Sequence, residues 1–163
     1  MFAIRLATMD DAEAIARLTS DVQQLHNQAL PEIFKPPSDE LFPARKLAAL
    51  LANPDCVVAV AEIGGKVAGH IYGVVVQRAE NEFTKAEAHM YIQQIGIDER
   101  AHRQGIGTAL VNFVLDHSRA MGLAAVQVDH WAFNIRAQGF FEACGFATVK
   151  VVRRQILSDT RHS

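Results

Sequence analysis

Between Ile15 and Leu25 the apolar residues Ile15, Leu18, Val22 and Leu25 recur at steps of three and four, which predicts a helix with one buried face. A short strand through Ile4 and Leu6 precedes it, and Thr8-Met9-Asp10-Asp11 carries the signature of a helix start. From His26 to Pro43 the pattern breaks, because Pro31, Pro36, Pro37 and Pro43 restrict the backbone; this stretch reads as a loop. Ala44 to Ala52 reads as a second helix, ended by Asn53-Pro54. The period then changes: Val57 to Ile63 and Val67 to Gln77, rich in Val and Ile around Gly64-Gly65, predict a hairpin. After a charged loop, Arg78 to Lys85, a further strand is expected over Ala88 to Ile97. A helix opens at Gly105, carries Ile106, Leu110, Phe113 and Val114 on one side, and stops near Met121-Gly122. Ala125 to Trp131 reads as a strand, and a last helix starts at Asn134, turns Ala137, Phe140, Phe141 and Cys144 inward, and is capped by Gly145. Phe146 to Leu157 is expected to close the sheet, and residues 158–163 to form a frayed tail.

This order describes an α/β (α+β) chain rather than a strict strand–helix alternation. The hairpin pairs antiparallel, whereas the strand–helix–strand unit from Ala88 to Trp131 should be a right-handed parallel crossover. A central mixed sheet flanked by helices follows, in one domain over residues 1–157. The chain has 163 residues, enough for one core and little more. Its 16 Lys and Arg against 18 Asp and Glu give a formal charge of -2, too little basic field to hold a nucleic acid. Cys56 and Cys144 lack the spacing of a disulfide framework or a metal knuckle, so reduced core thiols and no metal are expected. The N-terminus lacks a signal-peptide layout, and Val67 to Gln77 is too short to cross a bilayer. We expect a cytoplasmic protein without a membrane partner.

The candidate chemistry lies where the strand ending at Ile97 meets the helix opening at Gly105. A helix start exposes unpaired N–H groups at the positive end of a dipole, and glycines let a phosphate approach them. His102-Arg103-Gln104-Gly105-Ile106-Gly107 suits that task, Arg103 adding a charged fork and Thr108 a hydroxyl. A Gly-x-Gly at a helix start also serves simple close packing.

Four segments in series resemble the GNAT superfamily of N-acetyltransferases: Tyr91-Ile92-Gln93-Gln94-Ile95-Gly96-Ile97, then His102 to Gly107, then Trp131-Ala132-Phe133-Asn134, then Phe140-Phe141-Glu142-Ala143-Cys144-Gly145-Phe146. The resemblance covers about the last two-thirds of the domain. It implies an acyl-CoA N-acyltransferase fold with acetyl-CoA as co-substrate. Ile95, Gly96 and Ile97 would offer main-chain groups to the pantetheine arm, bound like an added strand. His102, Arg103, Gln104, Gly105, Ile106, Gly107 and Thr108 would hold the pyrophosphate. Asn134 would touch the arm from the far side of the gap or serve only as a helix cap, and Phe141 would lie beside the thioester sulfur. Two positions depart from the family pattern. His102 stands where Arg or Gln is usual, and Phe141 stands where many members have a Tyr that protonates the departing thiolate. A phenyl ring cannot donate that proton, although a thiol pKa of about 8.5 makes unassisted departure tolerable.

The implied reaction is direct attack of an amine on the acetyl thioester. For an amine of pKa about 10.4, reaching the neutral form at pH 7 costs about 4.6 kcal/mol, so a base or a water relay must help. Many relatives carry a Glu on the strand that here offers Tyr91, Gln93 and Gln94. Our expectation is a water held by Gln93 or Gln94 with His130 as the protein base; Asp129 and His26 are the other candidates. The acceptor, a small-molecule or peptide amine, is left to the loops His26 to Pro43 and Arg78 to Lys85 and to the C-terminal strands. An exposed sheet edge would allow a homodimer. Two other readings stay open: a non-catalytic acyl-CoA-binding module, suggested by Phe141, and a dinucleotide-binding oxidoreductase, against which Leu110 stands where a third fingerprint glycine belongs.

Overall fold

The computed structural model describes residues 1–157. Five strands form one sheet in chain order: β1 (Ala3–Leu6), β2 (Cys56–Ile63), β3 (Lys66–Arg78), β4 (Glu87–Ile97) and β5 (Ala125–Val128). The first four pair antiparallel and β5 joins β4 in parallel, so the sheet is mixed as expected. Four helices flank it: α1 (Ala12–Ala29), α2 (Ala44–Ala52), α3 (Ile106–Ala120) and α4 (Ile135–Ala143).

The run Val57 to Ala61 is apolar without a break because β2 is covered on both faces. Val57, Ala59 and Ala61 join Ile71, Met90 and Ile92 under Ile106, Leu110, Val111 and Val114 of α3. Val58, Val60 and Tyr72 face the other way, against Ile15 of α1, Leu47 of α2 and Phe42. The start of α1 is fixed by charge: Asp11, almost wholly buried, accepts from both Nη atoms of Arg5 at 2.8 and 2.9 Å and from the Thr8 N–H at 2.8 Å. The Arg5 guanidinium holds that carboxyl below the usual range.

Three expectations need correction. α1 continues past His26 to Ala29, so the loop begins later than the helix periodicity indicates. β5 stops at Val128 rather than Trp131, after four residues paired with β4. Phe146 to Leu157 forms no strand with any described residue. α4 ends in a glycine cap, with Gly145 at φ 92° and the Phe146 N–H donating to the Phe141 carbonyl at 3.0 Å. Beyond it the chain has no regular secondary structure through residue 157, and no backbone hydrogen bond joins residues 147–157 to another described residue. Val-rich composition supplies strand propensity only; a strand also needs an edge within reach. The tail expected over residues 158–163 lies outside the described residues.

Candidate active site

The cleft arises from an irregularity in β4. Its pairing with β3 runs Gly73 to Ile92 and then Tyr72 to Gln94, leaving Gln93 with no opposite residue. Such a bulge bends the strand and sharpens its twist. On the other side, β4 pairs with β5 only from His89 to Ile92. Gln93 to Ile97 therefore has one edge paired to β3 and the other free of β5, and the two parallel strands part at this point. Ile95, Gly96 and Ile97, the residues expected to meet an extended arm, lie on that free stretch.

The loop from His102 to Gly105 stands at its end. Gly105 is the N-cap of α3, with φ 81° and ψ 7°, and no side chain caps the helix. The first amides of α3 are thus left to an outside acceptor. A Cβ at Gly105 would meet nothing within 4 Å, so the approach is open. Arg103 holds φ 65°, a left-handed conformation uncommon for a residue with a side chain and often found at binding sites. Gly107 has a different role: a Cβ there would lie 2.9 Å from Ile97 Cδ1 and 3.0 Å from Phe140, so its lack of a side chain lets α3 pack against β4 and α4. Thr108 sits beside Cys144; burial raises that thiol's pKa, and a hydrogen bond from Thr108 opposes the rise.

His102 is committed elsewhere. Arg136, in the first turn of α4, donates to His102 Nδ1 at 2.9 Å, so the proton sits on Nε2 and is donated to the Ile97 carbonyl at 3.2 Å. One main-chain acceptor of the free stretch is thereby already used. Arg136 is the residue that sequence reasoning missed. It follows the motif Asn by two positions, and only the packing of α4 beside the loop makes it a second cation there. Asn134 caps α4, its Oδ1 accepting from the Ala137 N–H at 3.0 Å, which leaves its amide nitrogen for another partner.

The far wall carries the residues expected at the reacting centre. Phe141 is buried and packs against Phe140 and Phe146, with ring centroids 5.1 and 5.7 Å away. The exposed His130 ring lies nearly parallel to it at 6.3 Å. His130 Nδ1 is 3.2 Å from the Trp131 carbonyl, which can only accept, so this contact puts the proton on Nδ1 and leaves Nε2 as a base. Asp129 is held by the Tyr91 hydroxyl at 2.7 Å, and burial together with this carboxylate pushes the tyrosine pKa to about 12. That pair pins the end of β5 to β4.

Gln93 and Gln94 do not act alike. Gln93 is exposed at the bulge, while Gln94 turns toward α1, its Oε1 accepting from Thr19 Oγ1 and His70 Nε2, each at 2.8 Å. Neither is hydrogen-bonded to His130 among the described residues. His70 is fully buried, its Nδ1 has no partner, and desolvation lowers its pKa to about 4. His26 stacks on Phe34 at 4.8 Å and meets the edge of Phe133 at 5.7 Å, while Phe34 meets Trp131 at 4.9 Å. Burial lowers the His26 pKa, which suits an aromatic contact better than a charged one. Among the described residues no group of three or more His, Cys, Asp or Glu could hold a metal ion, and no helix is long and apolar enough to cross a membrane.

A sequence model of the acetyltransferase (GNAT) family matches residues 19–146. The chain belongs to this family. No curated protein matches it. Solved structures similar to this GNAT chain include a mutant of the BH1408 protein from Bacillus halodurans, 25% identical with a TM-score of 0.89, the alignment covering 96% of this chain and 99% of the other. Glucosamine-6-phosphate N-acetyltransferase from Arabidopsis thaliana aligns at a TM-score of 0.69 and 21% identity, covering 97% and 99%. An aminoglycoside acetyltransferase from an uncultured soil metagenomic sample, in complex with sisomicin, aligns at 0.69 and 22%, covering 97% of each chain. The last two likenesses concern the fold. In this GNAT chain the segments that carry the resemblance, Tyr91 to Ile97 and His102 to Gly107, fall on the parted strands and the uncapped helix start.

Proposed function

We propose that this GNAT chain transfers the acetyl group of acetyl-CoA to a primary amine. The observation that carries the reading is the free edge of Gln93 to Ile97 ending beside the uncapped N-terminus of α3. An extended amide-bearing arm fits the first, and a pyrophosphate fits the second. Gly105, Ile106 and Gly107 amides, with Arg103 and Thr108, would hold the diphosphate, and Arg136 adds a further cation nearby. Ile95 to Ile97 and the Asn134 amide would hold the pantetheine, placing the thioester near Phe141. Bound there, acetyl-CoA supplies an activated acetyl group.

His130 stands beside Phe141, placed to take one proton from the incoming ammonium and pass it to water. It would then take the second from the attacking nitrogen in the tetrahedral intermediate and give it to the sulfur as the C–S bond breaks. That role replaces both the absent Glu and the absent Tyr of the family pattern. Gln93, exposed at the bulge, is the better of the two glutamines for holding a relay water, since the Gln94 oxygen already has two donors. The acceptor would enter past the His26, Phe34, Trp131 and Phe133 cluster. The named neighbours make amino sugars and aminoglycosides sensible first acceptors to try, with polyamines, amino acids and peptide N-termini beside them.

The test has two parts. Acetyl-CoA at about a thousand times its Kd should add about 4 kcal/mol of stability, raising Tm, whereas NADH should not. Free-thiol release over the amine panel then measures turnover, and His130→Ala should change its pH profile. Binding without turnover on any amine would favour the second reading, a non-catalytic acyl-CoA-binding module, for which Phe141 is the supporting feature. Stabilisation by NADH alone would overturn both.

A further inference from the structure

His70 lies wholly buried on β3, and its Nδ1 has no hydrogen-bond partner among the described residues. An orphaned polar atom in the interior costs stability, so its retention calls for a reason. The reason lies on the neighbouring strand. His70 stands opposite Gly96 of β4 and reaches diagonally to Gln94, the first residue after the bulge, its Nε2 donating to the Gln94 Oε1 at 2.8 Å. The ring has room to do so only because Gly96 has no side chain: a Cβ there would lie 2.8 Å from His70 Cε1 and 3.1 Å from Nδ1. Thr19 of α1 donates to the same Gln94 oxygen at 2.8 Å, and the Leu18 carbonyl would lie 3.4 Å from that Cβ. The end of β4 is thus seated on α1 through the His70 ring.

This stretch needs a seat. A strand inside a sheet is held from both edges, but Gln93 to Ile97 is held by β3 alone, since β5 pairs no further than Ile92. The bulge interrupts even that ladder. What remains to fix the height of the free edge is the face on which it rests.

We propose that His70 is a positioning residue for the free stretch of β4, acting through Gln94 to hold the Ile95 to Ile97 main chain where an extended amide-bearing arm pairs with it. The role toward the arm rests on the acetyl-transfer reading; the role toward the strand does not. A neutral imidazole suits the place, since it is flat enough to lie under Gly96 and carries one N–H for Gln94. Its other nitrogen is then an acceptor, and Gly96 offers that acceptor no donor side chain. His70 lies outside the four segments that carry the family resemblance.

The test compares three variants. His70→Phe keeps a flat ring and loses the N–H. His70→Gln keeps an amide N–H at the reach of Nε2. Val58→Ala weakens the α1 side of the core two strands away from β4. Acetyl-CoA affinity by calorimetry should fall about tenfold in His70→Phe, the effect of about one hydrogen bond, and stay near natural in the other two. KM for acetyl-CoA should rise in His70→Phe while KM for the amine stays. In a Gln94→Leu background His70→Phe should cost no further affinity, because the partner is already gone. In the ligand-free chain, the Gln94 to Ile97 amides that pair with β3 should exchange about tenfold faster in His70→Phe, measured against the amides of β2. Natural affinity in His70→Phe, an equal loss in His70→Gln or Val58→Ala, or additive losses in the double variant overturns the proposal. A natural chain that binds no acetyl-CoA sinks the transferase reading instead. Exchange then decides alone, and unchanged relative exchange in His70→Phe overturns the role of His70. If His70→Phe fails to fold, Gly96→Ala, whose methyl displaces the ring from Gln94, takes its place with the same expected losses.

Discussion

A side chain at Gly105 would project into open space, while one at Gly107 would press on Ile97 and Phe140, so two glycines two residues apart answer to different forces. Gly107→Ala should destabilise the fold by about 1–3 kcal/mol through overpacking, read as a lower urea midpoint at unchanged slope. Gly105→Ala meets no neighbour, but its φ of 81° costs a residue with a Cβ about 1 kcal/mol, and that Cβ sits where a diphosphate would approach. It should lower stability by about 1 kcal/mol and weaken acetyl-CoA binding several-fold, read by calorimetry. The sequence showed the Gly-x-Gly and not the division of labour, because contacts across α3, α4 and β4 are invisible to spacing. His70 gives the pH dependence. Its pKa falls from about 6.5 unfolded to about 4 folded, so the unfolded chain binds its proton first as the pH drops. The stabilisation from keeping it neutral is whole above about pH 6.5 and is lost progressively down to about pH 4, about 3 kcal/mol in all. Urea midpoints measured across that window should slope for the natural chain and flatten for His70→Phe, even though that variant is less stable at neutral pH.

At the level of the strand, the bulge at Gln93 makes the cleft, and the alternation around it shows how. Ile92 packs toward α3 and Gln94 toward α1, opposite faces, as consecutive residues of a regular strand would. Gln93 is the one residue inserted between them, and Ile95 returns to the α3 side in register with Ile71. Deleting Gln93 should therefore leave every downstream side chain on its own face and remove only the bend. We expect the deletion variant to fold with a native circular dichroism spectrum, to lengthen the β4–β5 pairing, and to lose about a hundredfold in acetyl-CoA affinity. That loss corresponds to two or three edge hydrogen bonds of about 1 kcal/mol each. The signal was present in the sequence, since Ile92-Gln93-Gln94-Ile95 breaks an alternation of period two, but a break of this kind also fits an ordinary strand end. The hairpin, α2, α3 and α4 were legible because each carries its own period and its own stop: Gly64-Gly65, Asn53-Pro54, Gly122, Gly145. β5 was read three residues too long because Asp129, His130 and Trp131 follow Val128 without a breaker, and what ends the strand is the departure of β4. Residues 147–157 were misread for a related reason: local propensity names a strand, and only the rest of the molecule decides whether a partner is near.

Across the whole molecule, the two halves of the sequence meet through four rings. His26 and Phe34 come from the end of α1 and the loop after it, and Trp131 and Phe133 from the turn between β5 and α4. The first pair belongs to the proline-rich segment read as a loop, and the second lies between the strand and the Asn134 cap. Their contact joins the segment expected to choose the acceptor to the segment that carries His130, so on the proposed reading the amine would pass a wall shared by both. An aromatic pair of this geometry contributes about 0.5–1.5 kcal/mol. Removing the Phe34 ring should thus cost about 1 kcal/mol in stability and leave Trp131, already 41% exposed, more open to water. Trp131 is the only tryptophan in the chain, which makes its emission a clean report on this contact. Phe34→Ala should shift that emission to the red and raise KM for the amine about tenfold. KM for acetyl-CoA should stay where it was, because the free edge of Gln93 to Ile97 and the Gly105 corner owe nothing to Phe34. A parallel rise in both constants would mean that the ring supports the cleft as a whole, and the acceptor would then have to be read from other residues.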